Sequence, residues 1–444
     1  MVINNLGVSF LGQFKHLGQV GDVKEAIEAP KLALRLAPSG HPDKPMYFNN
    51  LGLSFHSRFE HLTNIADIDE AITAQQQAVH LTPDNHPQKT TCLCNLGDFL
   101  SSRWTTQHDG TALAEAIATY SQSSQSLSGP PSERFRSARS WATLCYMGHS
   151  NDIIEAYSTI INLLPPVVWF GKTVEQRYKD ISSIGDGVAE AAAVAIHLGE
   201  FGLALEWLEQ GRSIVWGQIL QLRTPLDNLR QRHPGEANKL EEISRALESA
   251  GTTQSTDHSS SSSVVTSPTL EEAVQAHCRL AKEYNHLVEH IHTFPDFGDF
   301  LLPQNSASLC NAAKSGPIVI VNTHEICCNA LILVPNSAQV SHVALPKLCL
   351  PDLLKMQRLL AGLIQGMRLE VRPCGTYEAV SSLKWDQEMP DLLGQLWECI
   401  AEPILRHLDV SLWFNAVPSL HSADCRWSCC MNQELARCLT LHGV

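Results

Sequence analysis

The strongest constraint on this chain is a self-similarity with a period of 45 residues. Asn5-Leu6-Gly7 recurs as Asn50-Leu51-Gly52 and Asn95-Leu96-Gly97, and Glu25-Ala26-Ile27 recurs as Glu70-Ala71-Ile72 and Glu115-Ala116-Ile117. The same spacing carries Phe10 to Phe55 and Leu100, and Phe14 to Phe59 and Trp104. Leu6, Phe10 and Phe14 stand at i, i+4 and i+8, one face of a helix, and the Glu-Ala-Ile triplet marks a second helix. Pro38-Ser39-Gly40-His41-Pro42 and Pro83-Asp84-Asn85-His86-Pro87 punctuate the units, since proline removes a helical N–H and clashes with the preceding turn. Each unit is therefore expected to be a helical hairpin plus a turn. Gly7, Gly52 and Gly97 sit where a missing side chain lets the partner helix come close, which offsets about 1 kcal/mol of lost helix propensity. A fourth, eroded copy starts at Trp141-Ala142 and continues through Glu155-Ala156, five residues early against the period.

The Leu-Gly-x-x-Phe string of the first helix and the Ala of the second resemble the tetratricopeptide repeat. The period exceeds the usual length of about 34 residues, and the excess is expected in the inter-helix segments around 15–22 and 60–67. Elongated units of this kind are similar to those of fungal proteins that join a tetratricopeptide array to a CHAT domain, a caspase-like module. This resemblance covers residues 1–164. It implies a concave surface lined by the first helix of each hairpin and suited to a protein or peptide partner. It further implies Asn5, Asn50 and Asn95 as peptide-binding residues, because an amide can donate to and accept from a ligand backbone at once. The alternative is that these amides bond neighbouring helices.

Residues 165–248 continue helical, with an alanine-rich stretch at 188–198 and an amphipathic one at 203–222. The string Leu208-Glu209-Gln210-Gly211-Arg212-Ser213-Ile214-Val215-Trp216, followed by Leu220-Gln221-Leu222-Arg223-Thr224-Pro225-Leu226, is similar to the helix that closes the array in those fungal proteins. Arg212 and Arg223 read as charges on the wet side of that helix, not as an anion site. Residues 249–269 hold five consecutive serines, Ser259 to Ser263, and are expected to be a disordered linker, too poor in apolar groups to repay the entropy of ordering. The connector helix at 270–293 carries His286-Leu287-Val288-Glu289-His290, the H-x-x-E-H spacing of a zinc-protease motif. With Leu280, Tyr284, Leu287 and Ile291 on its apolar side and no distant acidic ligand indicated, it reads as an ordinary amphipathic helix.

After residue 294 the periodicity changes. Gly316-Pro317-Ile318-Val319-Ile320-Val321-Asn322, Asn329-Ala330-Leu331-Ile332-Leu333-Val334 and residues 340–345 read as strands, and 350–363 and 389–408 as helices, which predicts an α/β domain with a mixed or parallel sheet. These segments, with Leu396-Trp397-Glu398-Cys399-Ile400-Ala401-Glu402-Pro403-Ile404-Leu405, resemble the opening of a CHAT domain over 294–410. A caspase-like module works by a His that activates a Cys at the ends of neighbouring strands. Both belong to its second half, and after Leu408 the match decays to Trp413-Phe414 and Leu420-His421-Ser422-Ala423. Residues 411–444 are thus expected to be an atypical Cys-rich tail, aberrant through a splice or reading-frame change. Ser422-Ala423-Asp424-Cys425-Arg426 resembles a caspase nucleophile signature, which wants its His about 50 residues upstream. The sequence has no histidine between His342 and His407. His421, Cys425, Cys429, Cys430, Cys438 and His442 hold enough soft ligands for zinc, yet their spacings are those of no known finger.

Composition closes off other classes. Lys and Arg total 32 against 46 Asp and Glu in 444 residues, a balance of −14, which argues against nucleic acid and anionic membranes as partners. The start lacks the basic and apolar regions of a secretory signal. The 14 cysteines are scattered through helical sequence, as free thiols of a reducing cytoplasm are. The expectation is a mainly α chain, a tetratricopeptide-like helical-hairpin array followed by a partial α/β caspase-like domain. It would act as a cytoplasmic interaction scaffold with no catalytic residues, cofactor or metal. The alternative is a caspase-like cysteine endopeptidase whose repeats recruit substrate, if a longer chain supplies the Cys and His.

Overall fold

The computed structural model describes residues 1–168, 184, 187–212, 226–253, 270–368 and 382–408. They are mainly helical, with one small three-stranded sheet. The chain divides into two compact units, Met1–Val167 and Val168–Val444.

The first unit is a run of hairpins. Helices α1 (Val2–Leu17), α3 (Lys44–Leu62), α5 (Gln88–Gln107) and α7 (Pro131–Gly148) are the first, or A, helices. Helices α2 (Val20–Leu36), α4 (Ile65–Leu81), α6 (Gly110–Gln125) and α8 (Ile153–Val167) are their B partners. Each B helix packs on its own A helix, and α2, α4 and α6 pack on the next A helix as well. In the first three hairpins the reversal takes two residues: Gly18-Gln19, Thr63-Asn64 and His108-Asp109. The first of each pair is left-handed, with φ of 69°, 52° and 54°, and closes helix A by donating its N–H to a carbonyl four residues back. The second is extended and opens helix B, with the Asn64 and Asp109 side chains accepting from the N–H of Ala66 and Thr111. The long inter-helix segments expected around 15–22 and 60–67 are therefore helix ends. The period is long because the A helices run to 16–20 residues.

The close approach expected at the glycines is present. A Cβ on Gly7 would lie 2.9 Å from Pro30 Cδ, on Gly52 3.0 Å from Gln75 Oε1, and on Gly97 2.6 Å from the Tyr120 ring. Pro30, Gln75 and Tyr120 themselves share the 45-residue spacing. Pro30 stands inside α2 and has no N–H to give the Ala26 carbonyl. The Ser54 hydroxyl of α3 lies 3.0 Å from that oxygen and satisfies it. Ala26, Ala71 and Ala116 are fully buried, so the small residue of each triplet is what lets the hairpins close.

In the second unit α9 (Gly187–His197), built largely of buried alanines, packs on α10 (Phe201–Arg212) and on a sheet of β1 (Ile318–Thr323), β2 (Cys328–Leu333) and β3 (Ser341–Ala344). The sheet order is β1-β2-β3 with both pairings antiparallel. This corrects the expectation of a parallel or mixed sheet. The links at 324–327 and 334–340 are far shorter than the dozen or so residues that a parallel crossover needs. Helix α11 (Asp227–Arg232) adjoins a helical pair, α12 (Pro234–Thr253) and α13 (Leu270–Ile291), around a core that includes Leu240, Ile243, Tyr284, Leu287 and Ile291. Residues 249–253, expected in the linker, belong to α12. Helix α14 (Ser306–Cys310) precedes the sheet. Beyond it follow α15 (Leu350–Arg368), α16 (Ser382–Leu396), a π-helical turn at Trp397–Ala401 and α17 (Glu402–His407), whose Ile404 joins the core over β2. The serine run, Arg223 and the tail with His421 and Cys425 lie outside the described residues. Among the described residues no helix is long and apolar enough to cross a membrane.

Candidate functional site

The A helices lie side by side and are joined by a ladder of side-chain amides. Asn95 Nδ2 of α5 donates to Asn49 Oδ1 of α3 at 2.9 Å, Asn49 Nδ2 donates to Asn50 Oδ1 at 3.4 Å, and Asn50 Nδ2 donates to Asn4 Oδ1 of α1 at 3.2 Å. Gln75 of α4 reinforces the middle rung, its Nε2 lying 3.0 Å from Asn49 Oδ1 and 2.8 Å from the Cys92 carbonyl. The ladder runs one way, each donor pointing toward α1. Asn4 is fully buried at its end, with its Nδ2 unmatched among the described residues. An amide has two N–H groups, so Asn50 and Asn95 each keep one beyond the ladder.

Charged and aromatic groups continue the same face. His56 of α3 lies 2.9 Å from Ser102 Oγ of α5, stacks on Phe99 at 4.5 Å and sits 3.8 Å from Glu60. Burial pulls its pKa below the ordinary histidine value and Lys15 adds to this, while Glu60 and Asp98 oppose it. Asp98 accepts from the Tyr120 hydroxyl at 2.5 Å and from Arg136 of α7 at 3.1 Å. Burial, with Asp98 beside it, raises the Tyr120 pKa far above the usual phenol value. Cys94 on the same helix is pushed up to about 11, chiefly by burial, so it is an inert thiol at neutral pH. Val8 and Leu53 occupy the position of Asp98 in the two preceding repeats. The face thus passes from apolar at α1 and α3 to charged at α5 and α7.

The structure separates the three asparagines expected to bind peptide. Asn50 and Asn95 join the ladder, whereas Asn5 is exposed on α1, its backbone carbonyl accepting from Ser9 Oγ. Asn4 and Asn49, which carry two of the rungs, were not singled out by sequence. Their signal was available in the doublets Asn4-Asn5 and Asn49-Asn50, one period apart.

In the second unit, Asn329 of β2 stands between a thiol and an imidazole. Its Nδ2 donates to Cys327 Sγ at 2.8 Å, and its Oδ1 is 2.7 Å from His342 Nε2. Phe201 stacks on the His342 ring at 5.0 Å. Burial raises the Cys327 pKa, the Asn329 contact opposing it, and burial lowers that of His342. A thiol is activated by a base within hydrogen-bond reach, and here the amide fills that place. Within H-x-x-E-H, His286 pairs with Glu289 at 3.5 Å while His290 turns its edge to Phe294 at 4.9 Å. No known protein family matches this sequence, and no curated protein is similar to it.

Proposed function

We propose that this chain is a cytoplasmic interaction scaffold, a tetratricopeptide-like array whose helix-A face holds a protein or peptide partner. The observation that carries the reading is the amide ladder set in a face that runs from Val8 and Leu53 to Asp98 and Arg136. Residual amide N–H groups suit a ligand backbone, apolar positions suit one end of a ligand, and a charged pair suits the other. The second part of the reading is a CHAT-like, caspase-like domain without a catalytic pair. It rests on the residue strings around Ile318–Thr323, Cys328–Leu333 and Trp397–Ala401 and on their resemblance to fungal proteins of that kind.

The test is a displayed library of extended peptides selected against the full chain. Leu53→Asp and Arg136→Gln should each weaken the selected peptides at least tenfold while the circular dichroism melt stays in place, the exposed Arg136 leaving Asp98 still bonded to Tyr120. Peptides that bind both variants as well as the parent overturn the reading.

A further inference from the structure

Two thiols stand on the rim of one small core in the second unit. The buried cluster over β2 takes in Leu345, Leu348 and Leu353 from the chain entering α15 and Ile404 from α17, and Cys399 of the π-helical turn packs against it. The chain leading to Cys349 is pinned. The Leu345 N–H donates to the Cys328 carbonyl, the Leu348 N–H to the Leu345 carbonyl and the Leu353 N–H to the Cys349 carbonyl, each at 3.0 Å. From the other side, Cys399 Sγ lies 3.5 Å from the Lys347 carbonyl oxygen. Cys349 comes two residues after that carbonyl, and successive Cα atoms are about 3.8 Å apart, a step comparable with the roughly 6 Å that a disulfide spans between Cα atoms.

The two thiols differ in access. Cys349 is exposed, and its Sγ donates to Asp352 Oδ2 at 2.9 Å while Lys355 holds the other carboxylate oxygen at 2.8 Å. Cys399 is half-buried, and burial raises its pKa, with Glu398, Asp352 and Cys349 adding to it and Lys347 opposing. An outer thiol that meets a reagent first, beside an inner one that resolves the adduct, is the arrangement of a redox pair. The remaining described thiols of this unit are engaged elsewhere. Cys327 Sγ faces the Ala193 carbonyl at 3.7 Å and Asn329, Cys328 Sγ faces the His324 carbonyl at 3.8 Å, and Cys310 is buried. Cys399 also sits in the middle of a π-helical turn, a form that helices adopt frequently at functional sites.

We propose that Cys349 and Cys399 form a reversible disulfide, a redox latch between the start of α15 and the π-helical turn, made by exchange with a low-molecular-weight disulfide such as glutathione disulfide. The Cys349 sulfur, its proton lost to solvent, attacks one glutathione sulfur and breaks the S–S bond, releasing one glutathione as its thiol. The Cys399 sulfur, its proton lost in turn, attacks the Cys349 sulfur of that adduct and releases the second. Two protein thiols are oxidised and one glutathione disulfide is reduced to two thiols. The latch is independent of what the helix-A face binds. Peptide mass spectrometry of the full chain after treatment with glutathione disulfide should find Cys349 linked to Cys399, alkylation of Cys349 should fall at least tenfold, and excess reduced glutathione should reverse both. Cys399→Ser should instead leave Cys349 as a glutathione adduct, and Cys349→Ser should leave Cys399 largely free. In urea the parent should give scattered pairings. A parent chain that stops at a Cys349–glutathione adduct, that keeps both thiols free in excess oxidant, or that links Cys349 to a different cysteine overturns the proposal. So does a link that forms as readily in urea, because the fold then contributes nothing to it.

Discussion

The side-chain amide of Asn95 donates to the oxygen of Asn49 across a separation of 46 residues, one more than the repeat. The same separation joins Met1 to Tyr47, Asn4 to Asn50 and His56 to Ser102. One residue turns a helix by about 100°, so a position that looks toward the following A helix is succeeded by one that looks back. A constant offset of one period plus one therefore means that α1, α3 and α5 repeat the same rotation and height. Asn49 is the busiest group in this arrangement, accepting from Asn95 and Gln75 and donating to Asn50. Asn49→Ala should cost about 2 kcal/mol, because it strands half-buried and buried donors. Asn5→Ala, outside the ladder, should change the stability by under about 0.5 kcal/mol. Urea denaturation of both variants checks the contrast, and equal effects would show that the ladder adds nothing.

The repeat also exposes a missing partner. Arg58 grips Asp67 through two hydrogen bonds of 2.8 and 2.5 Å, with Asp67 almost wholly buried. One period earlier the carboxylate is Asp22 and the opposite residue is Gln13, and Asp22 Oδ2 is buried without a hydrogen bond. Gln13→Arg should restore the bidentate pair and stabilise the first repeat by about 1 kcal/mol. Arg58→Gln should destabilise by about 3 kcal/mol, since a buried carboxylate is left alone. A rise in melting temperature for the first variant and a fall for the second is the expected pattern.

How much of this was legible in the sequence depended on whether a contact type was conserved between repeats. Gly7, Gly52 and Gly97 announced themselves because each must yield to a bulkier residue on helix B, and the same residue type solved the problem three times. The reversal at 18, 63 and 108 did not, because Gly, Thr and His share no chemistry and only their positive φ unites them. The extra length therefore reads as loop in the sequence although it is helix in the structure. Of the ladder, the asparagine before each Leu-Gly was visible, while its partners Asn4 and Asn49 were passed over because the third repeat has Cys94 in their place. In the second unit the β-branched runs located β1 and β2 correctly. Strand direction is not legible in the runs themselves, because apolar runs look alike in parallel and antiparallel sheets, and the short connections at 324–327 and 334–340 are what decide it.

Those three left-handed residues supply a further prediction. Thr63 is β-branched and His108 has a ring, yet both hold the conformation that Gly18 adopts freely, with φ of 52° and 54°. The left-handed region costs a non-glycine residue roughly 1–2 kcal/mol, offset in part by the greater entropy that glycine loses on folding. Thr63→Gly and His108→Gly should each stabilise the array by about 0.5–1 kcal/mol, with Thr63→Gly the larger because of its branched Cβ. Gly18→Thr should destabilise by a similar amount. Thermal melts of the three variants test the sign directly, and a loss of stability in both glycine variants would show that their side chains do more than tolerate the turn.

The last prediction concerns pH. His56 is buried against Phe99 with its ring nitrogen at the Ser102 hydroxyl, and burial holds its pKa below the unfolded value. Lys15 from α1 acts in the same direction, while Glu60 on its own helix and Asp98 on α5 act against it. A base whose folded pKa is depressed binds fewer protons in the folded chain than in the unfolded one. Its contribution to stability is therefore whole above the unfolded value of about 6.5 and shrinks as pH falls toward the folded pKa. The rest of the chain is common to the parent and His56→Gln, so the difference between the two reports on the ring and its surroundings. That difference, measured by urea denaturation, should be level from pH 8 to 7 and should move in favour of His56→Gln between pH 6.5 and 5. A difference that stays flat to pH 5 would mean that the ring is solvated well enough to titrate as a free histidine does, and a movement in the opposite direction would mean that Glu60 and Asp98 outweigh burial.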